Sequence, residues 1–501
     1  MKDVKDTKDL KGKKNLVFIF TDQQRYDTLN VYGNKKIKVP NLNKLAQKSA
    51  VFMNSYVTQP VCTPSRGSLL TGLYPHNHGC ETNNRVLSDD IPTLAEMIDR
   101  SAYTTGYVGK WHLGNEVMPQ HGFDTWISVE DYFYRNYYEK KEYENVNSSY
   151  HEFLVKNGFI PDIEDEDYYA FSREFVTRIP AEFSKPAFVG GEAVKFIEEN
   201  KEKPFILYAN FLEPHNPYHS AYDNMYNPEE IELPETFNTE PDECSPLKYH
   251  FNRRFYREVD EHAYPLSNER KWRNTIARYY GAISLVDKYV GRIMDAIEKN
   301  GLDENTIIVF TSDHGDMMGE FKMLAKSVMY EGAVKVPLLI KVPGITDEQR
   351  IIKTPVSQID VVPTLLELLG VYADIKTDGK SLLSVIKGEK GPELEDVMIE
   401  WNGNVSDMWL KPFHDEISGN DELKKAAKDT NESAGRTIRT PDGWKMSLSE
   451  AGENELYDLN KDPHETKNLY FNDEYKSIVD MLSDKIYVWQ DKHKDSMCVL
   501  R

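Results

Sequence analysis

The sequence predicts an α/β fold in which a mostly parallel β-sheet lies between helices. Several short apolar runs, rich in β-branched and aromatic residues, have the length and composition of buried strands. Two of these runs are followed closely by residue types that can bind ions. Open α/β sheets place their ligands at the edge formed by the carboxyl ends of the strands. Longer stretches between the runs carry apolar residues at helical spacing. The predicted strands are residues 16–20, 103–108, 204–207, 306–310 and 336–340.

Three stretches have the pattern of helices. Residues 40–50 and 278–300 carry apolar side chains on one face. Residues 358–370 contain a proline near their start and end at a glycine, and Asp360 is expected to cap this helix. The apolar face of the first helix is Leu42, Leu45 and Ala46, and that of the second is Ile283, Val286, Val290, Ile293 and Ile297.

The length of 501 residues predicts two unequal domains. Near residue 390 the pattern changes to short strands and turns, so we place a large domain at residues 1–390 and a smaller one at 391–501. Residues 436–446 and 455–459 are predicted strands of the smaller domain, before a turn at 462–465 and a last helix. Residues 131–183, rich in tyrosine, and residues 220–270 are predicted insertions. We expect the first to line or cover the active-site face.

Composition and charge exclude several classes of protein. The chain is 40% hydrophobic, without an apolar run near transmembrane length, and residues 1–14 show no signal-peptide pattern, which predicts a cytoplasmic protein. A net charge of −21 argues against a nucleic-acid or membrane surface, so an anionic substrate must be attracted by a local basic cluster and a metal ion. The four cysteines, Cys62, Cys80, Cys244 and Cys498, lack metal-knuckle or disulfide spacing.

The stretch 61–72, VCTPSRGSLLTG, predicts a short helix with a cysteine at its start. Pro64 suits the first helical turn and Gly72 ends the helix. A helix N-terminus favours an anion, and Arg66 adds a cation whose planar fork suits sulfate or phosphate.

The residues Cys62 to Arg66, followed by Leu-Thr-Gly at 70–72, resemble the formylglycine signature of type I sulfatases in the alkaline phosphatase superfamily. The resemblance implies an alkaline phosphatase-like fold: a large mixed, mostly parallel sheet between helices, with a smaller C-terminal α+β subdomain that carries an antiparallel sheet. It also implies that a maturase oxidises Cys62 to formylglycine, whose hydrated aldehyde is the nucleophile. The alternative, a buried thiol that only begins a helix, is disfavoured by five consecutive matching residues.

Other motifs extend the resemblance to four further catalytic residues. The stretch GKWHLG at 109–114 is similar to the second sulfatase signature, in which Lys110 bridges the sulfate and the nucleophile and His112 contacts the formylglycine hydroxyl. The Pro-His-x-Pro element at 214–217 implies that His215 lies close to the leaving group. The register of Lys326 ahead of residues 336–340 implies a substrate-binding lysine. Together with Cys62 and Arg66, these are the predicted catalytic residues.

Two motifs at strand ends imply a divalent metal ion. By resemblance, Asp22, Gln23, Asp313 and His314 are its ligands, together with residue 62. The oxygen-rich ligand set favours Ca²⁺, with Mg²⁺, Mn²⁺ or Zn²⁺ as alternatives. Gln23 stands where many sulfatases carry a second Asp. This variant is similar to choline sulfatases and phosphonate monoester hydrolases, and to various bacterial glycan sulfatases.

The resemblance implies a sulfatase that hydrolyses a small-molecule sulfate ester. One formylglycine hydroxyl attacks sulfur, His215 with Lys326 protonates the leaving oxygen, and His112 takes the proton that lets sulfate depart. We expect a small sulfated carbohydrate, such as a glycosaminoglycan fragment, with weaker candidate contacts at Asn83, Asn84 and Arg85.

Three alternatives remain open at this stage. The first is a phosphonate monoester hydrolase or phosphodiesterase, the second is a choline or aryl sulfatase, and the third is a non-catalytic protein that binds sulfated glycans with Cys62 unmodified. The sequence indicates a transient maturase partner and no nucleic acid or membrane partner. It does not indicate an oligomeric state.

Overall fold

The structure is a computed structural model that describes residues 12–130, 146–165, 168–258, 266, 268–371, 375–389, 395–403, 409–496, 498 and 500. The strands are β1 Asn15–Asp22, β2 Ala50–Tyr56, β3 Thr104–Gly109, β4 Thr125–Ser128, β5 Ile163–Asp165, β6 Tyr168–Ala170, β7 Phe205–Pro214, β8 Thr306–Ser312, β9 Lys335–Lys341, β10 Arg350–Ile352, β11 Val356–Ser357, β12 Val397–Asn402, β13 Ala434–Arg439, β14 Trp444–Ser449 and β15 Glu455–Asp458. The helices are α1 Pro40–Ala46, α2 Cys62–Thr71, α3 Pro75–His78, α4 Leu94–Met97, α5 Ser149–Lys156, α6 Lys185–Asn200, α7 Leu247–Glu258, α8 Glu269–Lys299, α9 Glu331–Val334, α10 Val361–Leu368, α11 Leu383–Lys387, α12 His414–Ser418, α13 Asp421–Glu432 and α14 Lys476–His493.

The central sheet has the strand order β10-β2-β9-β8-β1-β7-β3-β4, with β11 also paired to β2. Strand β1 runs parallel to both of its neighbours, and β3 runs parallel to β7 and β4. Strand β9 runs antiparallel to β2 and β8. The predicted mixed, mostly parallel sheet is therefore confirmed.

Successive side chains of β1 point to opposite faces of the sheet, as the strand geometry requires. Val17 and Ile19 join a core with α1, α6 and α8 on one face. Leu16, Phe18 and Phe20 join a second core with α2, α4 and α10 on the other. Because both faces are covered, every residue of β1 is buried. Residues 16–20 of this strand are therefore all apolar.

The strands at the centre of the sheet all end at one edge. Strands β1, β7, β3 and β8 are mutually parallel, so the residues that follow them lie side by side. Asp22 is the last residue of β1, Lys110 follows β3, and Asp313 follows β8. His215 follows β7. The topology alone brings these four residues together from positions far apart in the sequence.

A second sheet of four antiparallel strands, β12-β13-β14-β15, forms the C-terminal part of the protein. Its inner face packs with α14 around Ile438, Met446 and Leu482, and Tyr74 and Ile359 of the larger part join the same apolar cluster. This confirms the predicted antiparallel sheet. The predicted domain boundary at 390/391 lies outside the described residues and stays a prediction.

Several predicted boundaries differ from the observed ones. Helix α1 ends at Ala46 because β2 already begins at Ala50, and α8 begins at Glu269, nine residues before the predicted start. The earlier start is stabilised by the Asn268 side chain, which accepts a hydrogen bond from Lys271 N. The stretch 220–270, predicted as an insertion from its polar sequence without a helical pattern, contains α7, which buries Tyr249, Phe251 and Phe255 in spite of its many charged residues.

The tyrosine-rich insertion is described only in part. Its described residues form α5, β5, β6 and short 3-10 turns, and Tyr169 is exposed. Strand β6 begins at Tyr168. The tyrosines that lie outside the described residues are Tyr132, Tyr134, Tyr137, Tyr138 and Tyr143. In the described part of the chain, no helix combines the length and apolar character that crossing a membrane requires.

Candidate active site

Cys62 is the first residue of α2, a helix in which every residue is buried. Pro64 lies in its first turn, and Gly72 ends it in the left-handed conformation with φ 72°. The Cys62 Sγ atom lies 3.0 Å from Lys326 Nζ, 3.3 Å from His314 Nε2 and 3.8 Å from Asp22 Oδ1. Burial and the Asp22 carboxylate raise the pKa of the thiol, but Lys110 and Lys326 outweigh them and bring it to about 7. The surroundings therefore favour negative charge at this position.

Asp22 and Asp313 approach each other from the ends of two adjacent parallel strands. Arg66 connects them, since its Nε donates to Asp313 Oδ2 at 2.9 Å and its Nη2 donates to Asp22 Oδ2 at 2.8 Å. Its Nη1 donates to the Lys110 carbonyl oxygen and to Asn210 Oδ1. The guanidinium is fully buried, and the carboxylates hold its pKa above the usual value although burial opposes this. Arg66 thus fixes the two carboxylates.

Lys110 is the second cation at Asp22. Its Nζ lies 2.6 Å from Asp22 Oδ2 and 4.0 Å from Cys62 Sγ. Burial alone would raise the pKa of Asp22, but the charges of Lys110 and Arg66 hold it well below its usual value. Asp22 is therefore ionised at neutral pH.

His314 directs one ring nitrogen into the cluster. Its Nδ1 lies 2.9 Å from the Gly315 carbonyl oxygen, an acceptor, so Nδ1 carries a proton and Nε2 is the nitrogen that faces the cluster. Burial alone would lower the pKa of His314, but Asp313 and Cys62 raise it above its usual value. Nε2 lies 3.6 Å from oxygen atoms of both Asp22 and Asp313. Such a backbone contact is typical of histidines that bind metal ions.

Four buried side chains could hold a metal ion together. One ligand atom from each of Asp22, Cys62, Asp313 and His314 lies within 4.8 Å of the others. Two carboxylates, one imidazole nitrogen and position 62 fit a divalent cation, and three buried or nearly buried cations balance the negative charge nearby. Gln23 adjoins this set, because its backbone N donates to Asp313 Oδ1 at 3.0 Å.

Lys326 joins Gln23, Cys62 and His215. Its Nζ lies 3.0 Å from Gln23 Oε1, 3.0 Å from Cys62 Sγ and 3.1 Å from His215 Nε2. Burial alone would lower the pKa of Lys326, but Cys62 and Asp22 raise it above the usual value, so the ammonium stays charged. Burial and Lys326 hold the pKa of His215 well below its usual value, so the imidazole is neutral. The pair places a proton donor beside a neutral base.

His112 and the predicted substrate loop lie next to the start of α2. Asn83 Oδ1 accepts a hydrogen bond from Thr63 N, and Thr63 Oγ1 donates to the His112 carbonyl oxygen. The His112 Nε2 atom lies 3.0 Å from Asn84 Oδ1. Burial, with Lys110, holds the pKa of His112 well below its usual value. Asn83 and Asn84 thus support the residues around Cys62, whereas the Arg85 side chain is exposed.

Sequence patterns missed several residues of the site. Asn210 on β7 contacts Arg66, and Tyr218 and Asp316 contact the Gln23 side chain. Arg173, from the tyrosine-rich insertion, lies 3.0 Å from His215 Nδ1. Asp316 shares a stretch with Asp313, and Tyr218 directly follows the Pro-His-x-Pro element, so position next to a motif is the signal that could have indicated these two residues. The insertion does border the site, as predicted.

Comparisons with known proteins agree with this geometry. The family model described as Sulfatase matches residues 14–371. An arylsulfatase of Clostridium perfringens is 30% identical over 491 residues, which cover 94% of this chain and 93% of the relative. The chain belongs to the sulfatase family. This sulfatase is therefore a sulfuric ester hydrolase, and the family resemblance of the signature at residues 62–72 is confirmed.

Two further comparisons concern a relative named for a carbohydrate substrate and a solved structure of a phosphonate hydrolase. An N-acetylglucosamine-6-O-sulfatase of Bacteroides thetaiotaomicron is 24% identical over 539 residues, covering 96% of this chain and 87% of the relative. The solved structure of a phosphonate monoester hydrolase from Silicibacter pomeroyi superposes with a TM-score of 0.76 at 21% identity, covering 97% of this chain and 96% of that one. The similarity to the phosphonate monoester hydrolase structure shows that the two proteins share a fold.

The sulfatase site concentrates cationic side chains within a chain that is acidic overall. Arg66, Lys110 and Lys326 converge on Cys62, although the chain carries a net charge of −21. Low-dielectric surroundings strengthen the attraction between these cations and a bound anion. The site can therefore bind a sulfate group that the overall charge repels.

Proposed function

We propose that this sulfatase hydrolyses the sulfate ester of a small sulfated carbohydrate, with formylglycine at position 62 and Ca²⁺ in the adjoining cluster. The observation that carries the proposal is the position of Cys62 at the start of a buried helix, between Lys326 and the carboxylate of Asp22. In the net reaction, the bond between sulfur and the alcohol oxygen breaks, water supplies the new oxygen on sulfur, and the alcohol leaves with a proton.

The residues that would hold the metal ion are Asp22, Gln23, Asp313, His314 and residue 62. When bound, the cation polarises the sulfate group, and formylglycine supplies the attacking hydroxyl. Carboxylate and amide oxygens favour Ca²⁺ or Mg²⁺, and His314 also permits Mn²⁺ or Zn²⁺. The Gly315 carbonyl oxygen fixes the tautomer of His314 that binds a metal ion.

The remaining residues bind the sulfate and move protons. Lys110 and Lys326 stabilise negative charge on the sulfate oxygens as it grows in the transition state. The charged Lys326 lies within hydrogen-bond distance of the neutral His215, so this pair can deliver a proton to the leaving oxygen. His112 donates through Nε2 to Asn84 and keeps Nδ1 as its basic nitrogen, which suits the acceptance of a proton from residue 62.

Substitution of Cys62 tests the nucleophile. We expect Cys62→Ala and Cys62→Ser to abolish turnover of an aryl sulfate while thermal unfolding stays close to that of the wild type. A serine sulfated by attack on the substrate would have no internal route to expel sulfate. Near-normal turnover in either variant would contradict the proposal.

Removal of divalent cations tests the metal site. We expect EDTA to abolish turnover and added Ca²⁺ to restore it, with Mg²⁺ and Mn²⁺ assayed alongside. Because the ligands come from β1, α2 and the end of β8, a bound ion should also raise the melting temperature, by mass action on the folded state. Full activity after chelation, verified by elemental analysis, would contradict the metal site.

A carbohydrate substrate is supported by the relative named N-acetylglucosamine-6-O-sulfatase and by the polar side chain of Arg173 beside His215. A panel of defined sulfated mono- and disaccharides, with choline sulfate and an aryl sulfate for comparison, tests the class. We expect a sulfated sugar to have the highest kcat/KM. A clear preference for choline sulfate would contradict the carbohydrate proposal.

A phosphonate monoester hydrolase is the second candidate, and Gln23 is the observation that favours it. An uncharged amide replaces a carboxylate in the cluster, which lowers the negative charge close to a bound ester. The ratio of kcat/KM for matched aryl sulfate and aryl phosphonate esters separates the two candidates. The sulfatase proposal predicts a ratio above one.

The proposal also includes a partner for maturation and a cellular location. Formylglycine at position 62 requires a formylglycine-generating enzyme as a transient partner. A cytoplasmic location remains a prediction, and fractionation of cells that express the native gene would test it.

A further inference from the structure

Tyr218 and Asp316, two buried residues outside the catalytic motifs, contact the side-chain amide of Gln23. Gln23 Nε2 lies 2.6 Å from Asp316 Oδ2 and 3.1 Å from Tyr218 Oη. Tyr218 Oη also donates to Asp316 Oδ2 at 2.6 Å. The three residues are at most 1% exposed, so water does not compete for these hydrogen bonds.

The opposite end of the same amide contacts a cation. Gln23 Oε1 accepts a hydrogen bond from Lys326 Nζ at 3.0 Å. An ionised carboxylate can only accept hydrogen bonds, and an ammonium group can only donate them. The nitrogen of the amide must therefore face Asp316, and the oxygen must face Lys326, whose Nζ also lies 3.0 Å from Cys62 Sγ.

Asp316 is itself held in place by the backbone. Its Oδ1 accepts hydrogen bonds from Met318 N at 2.7 Å and Ala325 N at 2.9 Å. With the two contacts at Oδ2, both oxygens of the carboxylate are engaged. Asp316 can therefore keep the amide of Gln23 in one orientation.

The backbone of Gln23 is fixed as well. It has a left-handed φ of 70°, which is unusual for a residue other than glycine. Tyr279 Oη donates to the Gln23 carbonyl oxygen at 2.7 Å, and the ring of Tyr279 packs edge-on against Tyr218. A sparsely populated backbone conformation of this kind persists only where its surroundings determine it.

We propose that Asp316 and Tyr218 are positioning residues of the metal site, which turn the Gln23 amide so that its carbonyl oxygen faces the cation. The inference rests on the proposed function, because it assumes that the cluster binds a cation. Hard cations such as Ca²⁺ take oxygen ligands. A reversed amide would remove one oxygen ligand and direct an NH₂ group toward the cation and Lys326.

Calorimetric titration with Ca²⁺ tests the proposal on protein stripped with EDTA and desalted. We expect Asp316→Asn to weaken Ca²⁺ binding by about 10- to 100-fold, as is usual when a residue that orients a ligand is changed. Tyr218→Phe keeps the carboxylate and should weaken binding less. Unchanged Ca²⁺ affinity in both variants would overturn the proposal.

Tyr208→Phe is the matched control. Tyr208 is a buried tyrosine of β7 whose hydroxyl makes no hydrogen bond among the described residues. We expect this variant to bind Ca²⁺ like the wild type. Thermal unfolding in EDTA shows whether each variant is folded before metal is added.

Exchanging the amide of residue 23 and the carboxylate of residue 316 shows whether Asp316 orients the side chain of residue 23 or has only a structural role. In the Gln23→Glu variant, the new carboxylate faces the carboxylate of Asp316. Adding Asp316→Asn supplies an NH₂ group that can donate a hydrogen bond to this new carboxylate. We therefore expect Asp316→Asn to weaken Ca²⁺ binding in the wild-type background and to strengthen it in the Gln23→Glu background. The same loss in both backgrounds would overturn the positioning role.

The two proposals fail in different ways. If wild-type protein binds none of Ca²⁺, Mg²⁺ and Mn²⁺, the metal site is wrong and the positioning role is overturned with it. If wild type binds Ca²⁺ and the variants at 218 and 316 bind it equally well, only the positioning role is overturned.

Discussion

Arg66 shows how a single side chain holds the site together. Its guanidinium is fully buried and donates to Asp22 and Asp313, two carboxylates that would otherwise repel each other. The planar fork of arginine can reach both acceptors at once, whereas the ammonium of lysine is a single point of charge. The residue therefore acts on the carboxylates more directly than on the substrate.

We predict that Arg66→Lys destabilises the protein even though the charge is kept. A buried carboxylate would lose its partner, and breaking a buried ion pair costs about 3–5 kcal/mol. Denaturation with urea in the presence of EDTA measures this loss without a contribution from the metal ion.

Arg178→Lys is the matched control, because Arg178 pairs with Asp162 at the surface. We expect its effect to stay within about 0.5 kcal/mol. A loss at Arg66 as small as that at Arg178 would contradict the role assigned to the buried guanidinium.

Some residues of the site can be predicted from the sequence, and others cannot. Asp22 and Asp313 directly follow apolar runs, and Cys62 and Lys110 lie in local motifs. The contacts of Gln23 with Tyr218 and Asp316 join positions 195 and 293 residues away, and no pattern in the sequence pairs them. Only the packed fold shows such contacts.

At the level of elements, the close approach of β3 and β7 positions Lys110. Gly109 ends β3 with φ 126°, and a Cβ atom added there would lie 1.9 Å from the Asn210 carbonyl oxygen. Only glycine fits this junction between the two strands. The strand end and the position of Lys110 after it therefore depend on one glycine.

We predict that Gly109→Ala lowers both the stability and the turnover of the protein. The added methyl group collides with backbone that cannot move without separating the strands, and overpacking of this kind typically costs about 1–3 kcal/mol or more. The melting temperature and the kcat for an aryl sulfate measure the two effects.

Gly191→Ala on α6 is the control for Gly109→Ala. No atom lies within 4 Å of a Cβ added at this position, and its φ is compatible with alanine. We expect Gly191→Ala to leave the stability unchanged or to raise it by up to about 1 kcal/mol. A harmless alanine at 109 would contradict the packing argument.

A buried ion-pair cluster joins the insertion to the main sheet. Glu130, which follows β4, pairs with Arg173 of the insertion and with Lys185 at the start of α6. Burial alone would raise the pKa of Glu130, but Arg173 and Lys185 lower it to about 2. The ionised carboxylate is therefore stabilised by the fold.

We predict that the stabilisation by Glu130 depends on pH. Because the folded pKa lies below the ordinary value of 4.5, the contribution is complete above pH 4.5 and is lost as the pH falls toward 2. Glu130→Gln should cost on the order of 3 kcal/mol at pH 7. The difference between variant and wild type in urea denaturation should shrink at acidic pH.

Glu199→Gln, at an exposed position of α6, controls for a general effect of charge. We expect it to change stability by less than about 0.5 kcal/mol at any pH. A loss for Glu130→Gln that is the same at pH 7 and pH 3.5 would contradict the ion-pair explanation.

The elements themselves were predicted with uneven success. The buried strands were found because continuous apolar runs are a strong signal, and their predicted parallel arrangement follows from the intervening helices. The beginning of α8 and the whole of α7 were missed because charged residues separate the few aromatic side chains that they bury. Their burial depends on the rest of the fold.

At the scale of the whole molecule, a strongly acidic chain surrounds a site that contains three cationic side chains. The net charge of −21 repels anions at long range, but salt screens such repulsion beyond about 8–10 Å. The buried contacts of Cys62 with cationic side chains are screened much less. Selection of the substrate therefore depends on contacts within the site.

The most direct test of the account compares the chemical state of residue 62 with turnover. Protein is expressed with and without a formylglycine-generating enzyme, and mass spectrometry of the tryptic peptide 49–66 measures the fraction of aldehyde in each preparation. We predict that kcat for an aryl sulfate rises in proportion to this fraction and vanishes with it. Full turnover by protein that retains only the Cys62 thiol would contradict the account.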